Sequence, residues 1–103
     1  MHSMDYLKRL PRLGKLAPDA TGKFWQYDQA ALADGVVPKK FKELIAIGVA
    51  LTTQCVYCLE IHKNNALAAG ATQEELAETV HVAAALRAGA AITHGTHVLN
   101  GND

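Results

Sequence analysis

Residues 38–70 read PKKFKELIAIGVALTTQCVYCLEIHKNNALAAG, and this stretch decides the fold. The initial proline is typical of a helix start, and apolar residues recur at helical spacing from there to about Thr53. A second helix is predicted from about Cys55 to Ala69, and Gly70 is expected to end it. Because the turn between them is short, the two helices are expected to pack as an antiparallel pair.

The rest of the chain also favours helices. One is predicted from Pro18 to Ala33, after a short opening segment and a loop that contains Gly14. Another follows Thr72-Gln73-Glu74-Glu75, which is typical of a capping box. Gly89 is expected to break or kink that helix before a last helical stretch.

No strand pattern, internal repeat or low-complexity linker is visible, so the predicted class is all-α. The helix after Pro38 is apolar almost all round beyond Glu43 and is therefore expected to be the buried central helix. We expect one domain over residues 1–103, with a core of about 18–99 and an N-terminal segment of 1–17.

Composition limits the function classes. The 103 residues contain 10 Lys plus Arg and 10 Asp plus Glu, so no basic surface points to nucleic acid. The longest apolar run, Leu44 to Leu51, is far shorter than the roughly 20 residues that span a bilayer, and we expect a cytoplasmic protein without membrane contact. Much of the apolar content is alanine, which buries little area per residue, so a homo-oligomer is predicted.

The chain's two cysteines form a Cys-x-x-Cys pair, Cys55 and Cys58, and His62 follows one turn later. On a helix these offsets share one stripe. A thiolate is favoured at a helix N-terminus, beside a histidine and in a Cys-x-x-Cys motif. The polar residues Thr52-Thr53-Gln54 are expected to cap the helix that begins near Cys55. The pattern predicts a redox-active dithiol whose sulfurs can close into a disulfide within one chain.

Two other interpretations remain open for this stripe. The cysteines could be small buried hydrophobes. Alternatively, Cys55, Cys58 and His62 could hold zinc with Glu43 or a distant histidine as fourth ligand, in a structural module without turnover. A matched second pair of ligands is lacking, since His94-Gly95-Thr96-His97 is a weak candidate, and the dithiol interpretation is therefore favoured.

Glu43 is a carboxylate in an apolar helix, which is costly without a partner. In an antiparallel hairpin it should lie opposite the part of the next helix that carries His62, which predicts a Glu–His pair. The alternative is a solvated first-turn glutamate paired with Lys39 or Lys42. The residue pattern alone does not decide between them.

The motif of Glu43, eleven residues, Cys55-x-x-Cys58 and x-x-x-His62 resembles the signature of the alkyl hydroperoxidase D-like branch of the carboxymuconolactone decarboxylase superfamily. The resemblance covers roughly residues 38–70. It implies an all-helical subunit assembled into trimers or hexamers that reduces a hydroperoxide with electrons from an external thiol or disulfide reductase. It further implies that Cys58 is the peroxidatic thiol, that Cys55 closes the disulfide, and that Glu43 and His62 relay protons. No bound cofactor and no metal is required.

One position departs from that family pattern. The best-characterised peroxidases of this type have a second histidine immediately before the second cysteine, where this chain has Tyr57. A phenol with a pKa near 10 is a poor base at neutral pH, so a slower dithiol oxidoreductase stays open. The lactone decarboxylase reaction is a weaker alternative. His81, His94 and His97 are assigned no catalytic role, and Trp25 is expected to serve packing or an interface.

Overall fold

The computed structural model describes residues 4–102; residues 1–3 of the predicted N-terminal segment and residue 103 lie outside it. The α-helices are α1 (Leu10–Leu16), α2 (Pro18–Leu32), α3 (Lys39–Thr53), α4 (Val56–Ala68) and α5 (Gln73–His94). Short 3₁₀ segments occupy Met4–Arg9 and Gly95–Val98. Within residues 4–102 there is no strand, so the predicted all-α class is confirmed.

The N-terminal part is more helical than the sequence predicted. The expected loop around Gly14 and Pro18 is instead α1 followed directly by α2. Pro11 and Pro18 both lie at the start of a helix, where a missing N–H removes no intrahelical bond. A Cβ added at Gly14 would meet the Thr21 methyl at 3.6 Å, which is an ordinary van der Waals distance, so the contact between α1 and α2 does not depend on glycine at this position.

The centre of the molecule is the α3–α4 hairpin with α5 packed on α3. Ile47, Ala66 and Ala71 form its buried apolar cluster, and four leucines pack around them: Leu44, Leu51, Leu59 and Leu76. Gly70 takes the left-handed conformation, with φ of 98°, and ends α4 as predicted. The predicted antiparallel pair therefore forms the core, and that core is small.

The prediction that α3 is buried all round is wrong for the single chain. One side of α3 is covered by α4, but Phe41, Ile45 and Val49 on another side are about half exposed. Together with Val82 and Leu86 of α5 they line a groove of about 580 Å³, which we call the apolar groove. These apolar side chains are exposed because no other part of the described chain covers the groove.

α5 begins with the predicted capping box, in which Thr72 Oγ1 accepts from the Glu75 N–H and the Glu75 carboxylate accepts from the Thr72 N–H. The predicted break at Gly89 is wrong, since the helix continues unbroken to His94. A single glycine costs a helix only about 1 kcal/mol relative to alanine, and its neighbours here favour helix. In the described part of the chain, no helix is both long and apolar enough to cross a membrane.

Candidate functional site

The turn between α3 and α4 positions the first cysteine. Gln54 adopts the left-handed conformation, with φ of 59°, and ends α3. Thr52 and Thr53 were expected to cap α4, but their hydroxyls donate to carbonyls in the last turn of α3. That prediction is wrong, because β-hydroxyls within a helix reach back to the preceding turn. The N-cap position falls to Cys55.

Cys55 caps α4 with its sulfur. The Cys58 N–H donates to Cys55 Sγ over 3.3 Å, which is the contact that a serine or aspartate oxygen usually makes at this position. Both cysteines are free thiols and each is partly buried. Since the helix N-terminus carries a partial positive charge, a negative sulfur at Cys55 is stabilised there.

The two thiols share protons unequally. Donation from the Cys58 S–H, then from the Cys58 N–H, lowers the pKa of Cys55 below its ordinary value of 9.0. The hydrogen bond to Cys55, followed by burial and the negative charge of Cys55, raises the pKa of Cys58 to about 11. After losing one proton, the pair therefore carries its charge on Cys55 and its remaining proton on Cys58.

Glu43 lies in the first turns of α3 and is completely buried. Its Oε2 lies 2.5 Å from Nδ1 of His62 on α4, and its Oε1 accepts from Lys39 Nζ at 3.2 Å. The Glu–His pair predicted from the hairpin is therefore present. The lysine partner of the alternative interpretation is present as well, but the carboxylate is buried and not solvated. Both oxygens of Glu43 have partners, as a buried carboxylate requires.

Cys58, His62 and Glu43 open onto one cleft of about 480 Å³. The opposite wall is formed by α2, and its side chains are Phe24, Trp25, Asp28, Gln29 and Leu32. Trp25 was expected to serve packing or an interface, and it contacts Phe24 edge-on while remaining 45% exposed in this wall. Cys55 is not among the lining residues, so the two sulfurs differ in what they face.

The other three histidines of residues 4–102 lie elsewhere. His81 is on α5, and the ring centroids of His94 and His97 lie 4.9 Å apart near the end of the described chain, with the rings tilted by 59°; none of the three lines the cleft. Tyr57, in the first turn of α4, contributes its N–H to the hydrogen bonds that lower the pKa of Cys55. Within residues 4–102, no three His, Cys, Asp or Glu side chains are grouped as metal ligands, so the zinc alternative has no ligand set there.

Sequence reasoning missed the α2 wall and the part that Lys39 plays in the site. Lys39 and Glu43 are four residues apart, which is the spacing of a helical ion pair, but the sequence connected that pair only with a solvated glutamate. Trp25 and Asp28 are three apart on α2 and share a face. The loop of residues 33–38 determines which surface this face of α2 packs against. No sequence motif indicates the path of that loop.

Comparison with known proteins identifies the family to which the chain is similar. The model of the carboxymuconolactone decarboxylase family matches residues 18–101. The chain is 42% identical over 88 residues to a Paracoccus denitrificans protein named uncharacterized protein 4 in cox locus, covering 85% of this chain and 77% of that protein. An uncharacterized Cupriavidus necator protein is 39% identical over 68% of this chain, which spans only 62% of that relative's length.

A solved structure extends the likeness to three dimensions. The apo crystal structure of a carboxymuconolactone decarboxylase family protein from Legionella pneumophila is 36% identical to this chain. It superposes with a TM-score of 0.75, covering 80% of this chain and 73% of that one. At this identity the shared helices reflect a common family.

Proposed function

The chain belongs to the carboxymuconolactone decarboxylase family, and from that premise we propose that it is a dithiol peroxidase that reduces hydroperoxides through Cys55 and Cys58. The observation that carries the proposal is the cleft, in which a thiol, an imidazole and a buried carboxylate line the same space. A nucleophile, a base and a group that orients the base are what such chemistry needs.

The first step uses the proton on Cys58. His62 takes that proton, and the Cys58 sulfur attacks the terminal oxygen of the hydroperoxide. A sulfur–oxygen bond forms as the oxygen–oxygen bond breaks, and His62 returns the proton to the departing alkoxide, so an alcohol leaves. Because the hydrogen bond to Cys55 raises the pKa of Cys58 to about 11, this sulfur depends on a base at neutral pH.

The second step closes the cycle. Cys55 attacks the sulfur of the Cys58 sulfenic acid, a disulfide forms, and water leaves with the oxygen. An external dithiol then returns two electrons and two protons to the pair and is itself oxidised to a disulfide. Residues at i and i+3 near a helix start have Cα atoms within the separation that a disulfide tolerates. Non-reducing mass spectrometry after mild peroxide treatment should therefore find the Cys55–Cys58 bond within one chain.

The experiment is a peroxide-consumption assay with dithiothreitol as donor, using tert-butyl hydroperoxide and hydrogen peroxide in parallel. We expect many turnovers per chain, at a rate limited by the absence of a second histidine at the position of Tyr57. Consumption no faster than with dithiothreitol alone would contradict the proposal. Persistence of two free thiols after peroxide treatment would do the same.

A second candidate function, thiol–disulfide exchange through Cys55, is favoured by the capping sulfur and its lowered pKa. The Cys55 thiolate would attack a substrate disulfide and release one thiol. Cys58 would then attack the mixed disulfide and release the other. With Cys58→Ala protein and a small aromatic disulfide, this candidate predicts a stable adduct on Cys55, and a protein that forms none lacks the activity.

We also propose that the chain works as a homo-oligomer. Its accessible surface is 8125 Å², whereas a monomeric protein of 11.0 kDa exposes about 5,600 Å². Its radius of gyration is 17.6 Å, against about 13 Å for a compact chain of this length. The surplus surface includes the apolar groove, and burying it requires further copies. Light scattering should find at least three subunits, and a clean monomer at micromolar concentration would contradict this.

A further inference from the structure

Lys39 is a charged residue of the cleft that the proposed relay does not use. Its ammonium lies 3.2 Å from Glu43 Oε1, and the Lys39 side chain is 44% exposed while that of Glu43 is not exposed at all. The other charged groups that line the cleft are Asp28 of α2, across from Cys58, and the Glu43–His62 pair itself. Lys39 thus supplies the fixed positive charge among the lining residues of the described chain.

Two contacts hold Lys39 in this position. Its ammonium donates to the Leu32 carbonyl at 3.3 Å, in the last turn of α2, where a cation is favoured by the helix dipole. Its backbone N–H donates to Asp34 Oδ1, which fixes the start of α3. The residue is therefore held through both its backbone N–H and its ammonium, which fixes the ammonium beside Glu43.

The charge of Glu43 decides which nitrogen of His62 carries the proton. An ionised carboxylate can only accept, so it binds His62 through an Nδ1–H and leaves the Nε2 lone pair free to take a proton. A buried carboxylate without a counter-ion tends to take up a proton and become a donor. A protonated Glu43 would donate to Nδ1, and the ring would carry its hydrogen on Nε2. That nitrogen could then no longer accept a proton as a base.

We propose that Lys39 is a positioning residue that keeps Glu43 ionised and thereby holds His62 as the Nδ1–H tautomer, with Nε2 as the base. The inference deepens the proposed peroxidase function, on which its kinetic part rests. The tautomer itself is a property of the folded protein and can be observed without any substrate.

Lys42 offers a matched control. Its ammonium donates to the Ala33 carbonyl at 2.7 Å, so it fastens α3 to the end of α2 in the same way, but it makes no contact with Glu43. Lys39→Met and Lys42→Met each remove one hydrogen bond from an α3 ammonium to a carbonyl at the end of α2. If Lys39 only holds α2 in place, the two variants should behave alike.

The test combines ¹⁵N NMR of the histidine rings with peroxide turnover, both at pH 8. In wild-type protein, Lys39→Arg and Lys42→Met we expect the Nδ1–H tautomer at His62. In Lys39→Met we expect the Nε2–H tautomer and turnover lower by about 10- to 100-fold, part of the usual worth of a positioned base. Lys39→Gln, which keeps a neutral donor, provides the same comparison if the Met variant does not fold.

Each outcome decides something. An unchanged Nδ1–H tautomer in folded Lys39→Met or Lys39→Gln would overturn the inference, and so would a doubly protonated ring in the wild type. Equal losses of turnover in Lys39→Met and Lys42→Met would show that Lys39 only holds α2 against α3. If the wild-type protein consumes no peroxide, the proposed function fails, and the tautomer shift still tests Lys39 on its own.

Discussion

The two sides of α3 are built on opposite principles. On the side that faces α4, Glu43 is fully buried and both of its carboxylate oxygens have partners. Two residues later Ile45, which lines the apolar groove, is 59% exposed. A surface helix normally places apolar residues inside and polar ones outside. This inversion is consistent with the proposed peroxidase chemistry on the inner face and with the proposed contact between subunits on the outer face.

The difference predicts separable effects. Within residues 4–102, no buried side-chain nitrogen or oxygen lacks a hydrogen-bond partner, so changes on the inner face disturb a complete network. Side chains on the outer face are about half exposed to solvent in the single chain. Substitutions on the inner face should therefore alter catalysis while the assembly persists, and substitutions in the groove should alter assembly first.

The largest expected effect is the loss of the attacking sulfur. Cys58→Ser should abolish peroxide turnover and leave the helical fold intact, because a hydroxyl is close in volume but is no comparable nucleophile at neutral pH. Cys55→Ser is the matched control and, without added thiol, should consume one equivalent of peroxide and then stop. Steady-state and single-turnover assays beside circular dichroism make the measurement. Full turnover by Cys58→Ser would remove Cys58 from the mechanism.

The next effect concerns the relay on the same face. His62→Gln should slow turnover by roughly 10²- to 10⁴-fold, the usual worth of acid–base catalysis, and Glu43→Gln should act in the same direction because it no longer orients the ring. His81→Gln, on α5 and away from the cleft, should stay near the wild-type rate. The measurement is steady-state peroxide reduction. Undiminished activity in folded His62→Gln protein would rule out the relay.

Much of the inner face was readable from sequence. The lengths of two helices and one short turn made the Glu43–His62 contact one of two alternatives, and the family resemblance favoured it over a solvated glutamate. The contact is present, and the family that the motif resembles is confirmed. The all-α class and the capping box at Thr72 are also confirmed. Both depend on local sequence signals. Such features are set by residues close to one another along the chain.

The outer face and the α2 wall were not readable in the same way. Helical periodicity indicates that α3 is apolar almost all round, but it does not indicate whether residues of the same chain or of another copy bury that surface. The cap at Cys55 was missed because sulfur is an uncommon N-cap and two threonines stood nearby. The break predicted at Gly89 does not occur, because the high helix propensity of the flanking alanines exceeds the cost of one glycine.

A smaller effect is expected from the groove. Ile45→Lys should weaken subunit association by about 10- to 100-fold, since burying an isoleucine at an interface contributes about 1.5–3 kcal/mol and each 1.4 kcal/mol is tenfold. Ile92→Lys is the matched control, because Ile92 is equally apolar and 76% exposed on α5 but does not line the groove. Light scattering over a dilution series measures both. Equal association of Ile45→Lys and wild type would place the interface elsewhere.

The smallest effect tests how the inner face divides charge between the sulfurs. At pH 8 the pKa of about 11 lowers the thiolate fraction of Cys58 about 100-fold relative to an ordinary thiol of pKa 9.0. A more basic thiolate is intrinsically faster by several-fold, so iodoacetamide should label Cys58 about tenfold more slowly than an ordinary cysteine. Cys55, whose pKa is lowered, should react first, and labelling of Cys58 should rise as pH approaches 11. Cys58→Ala removes the S–H donor that is the main cause of the lowered pKa of Cys55, so the labelling of Cys55 at pH 6 should slow in this variant. Peptide mass spectrometry of briefly labelled native protein separates the two sites, and faster labelling of Cys58 at pH 8 would show that the charge resides on the sulfur that faces the cleft.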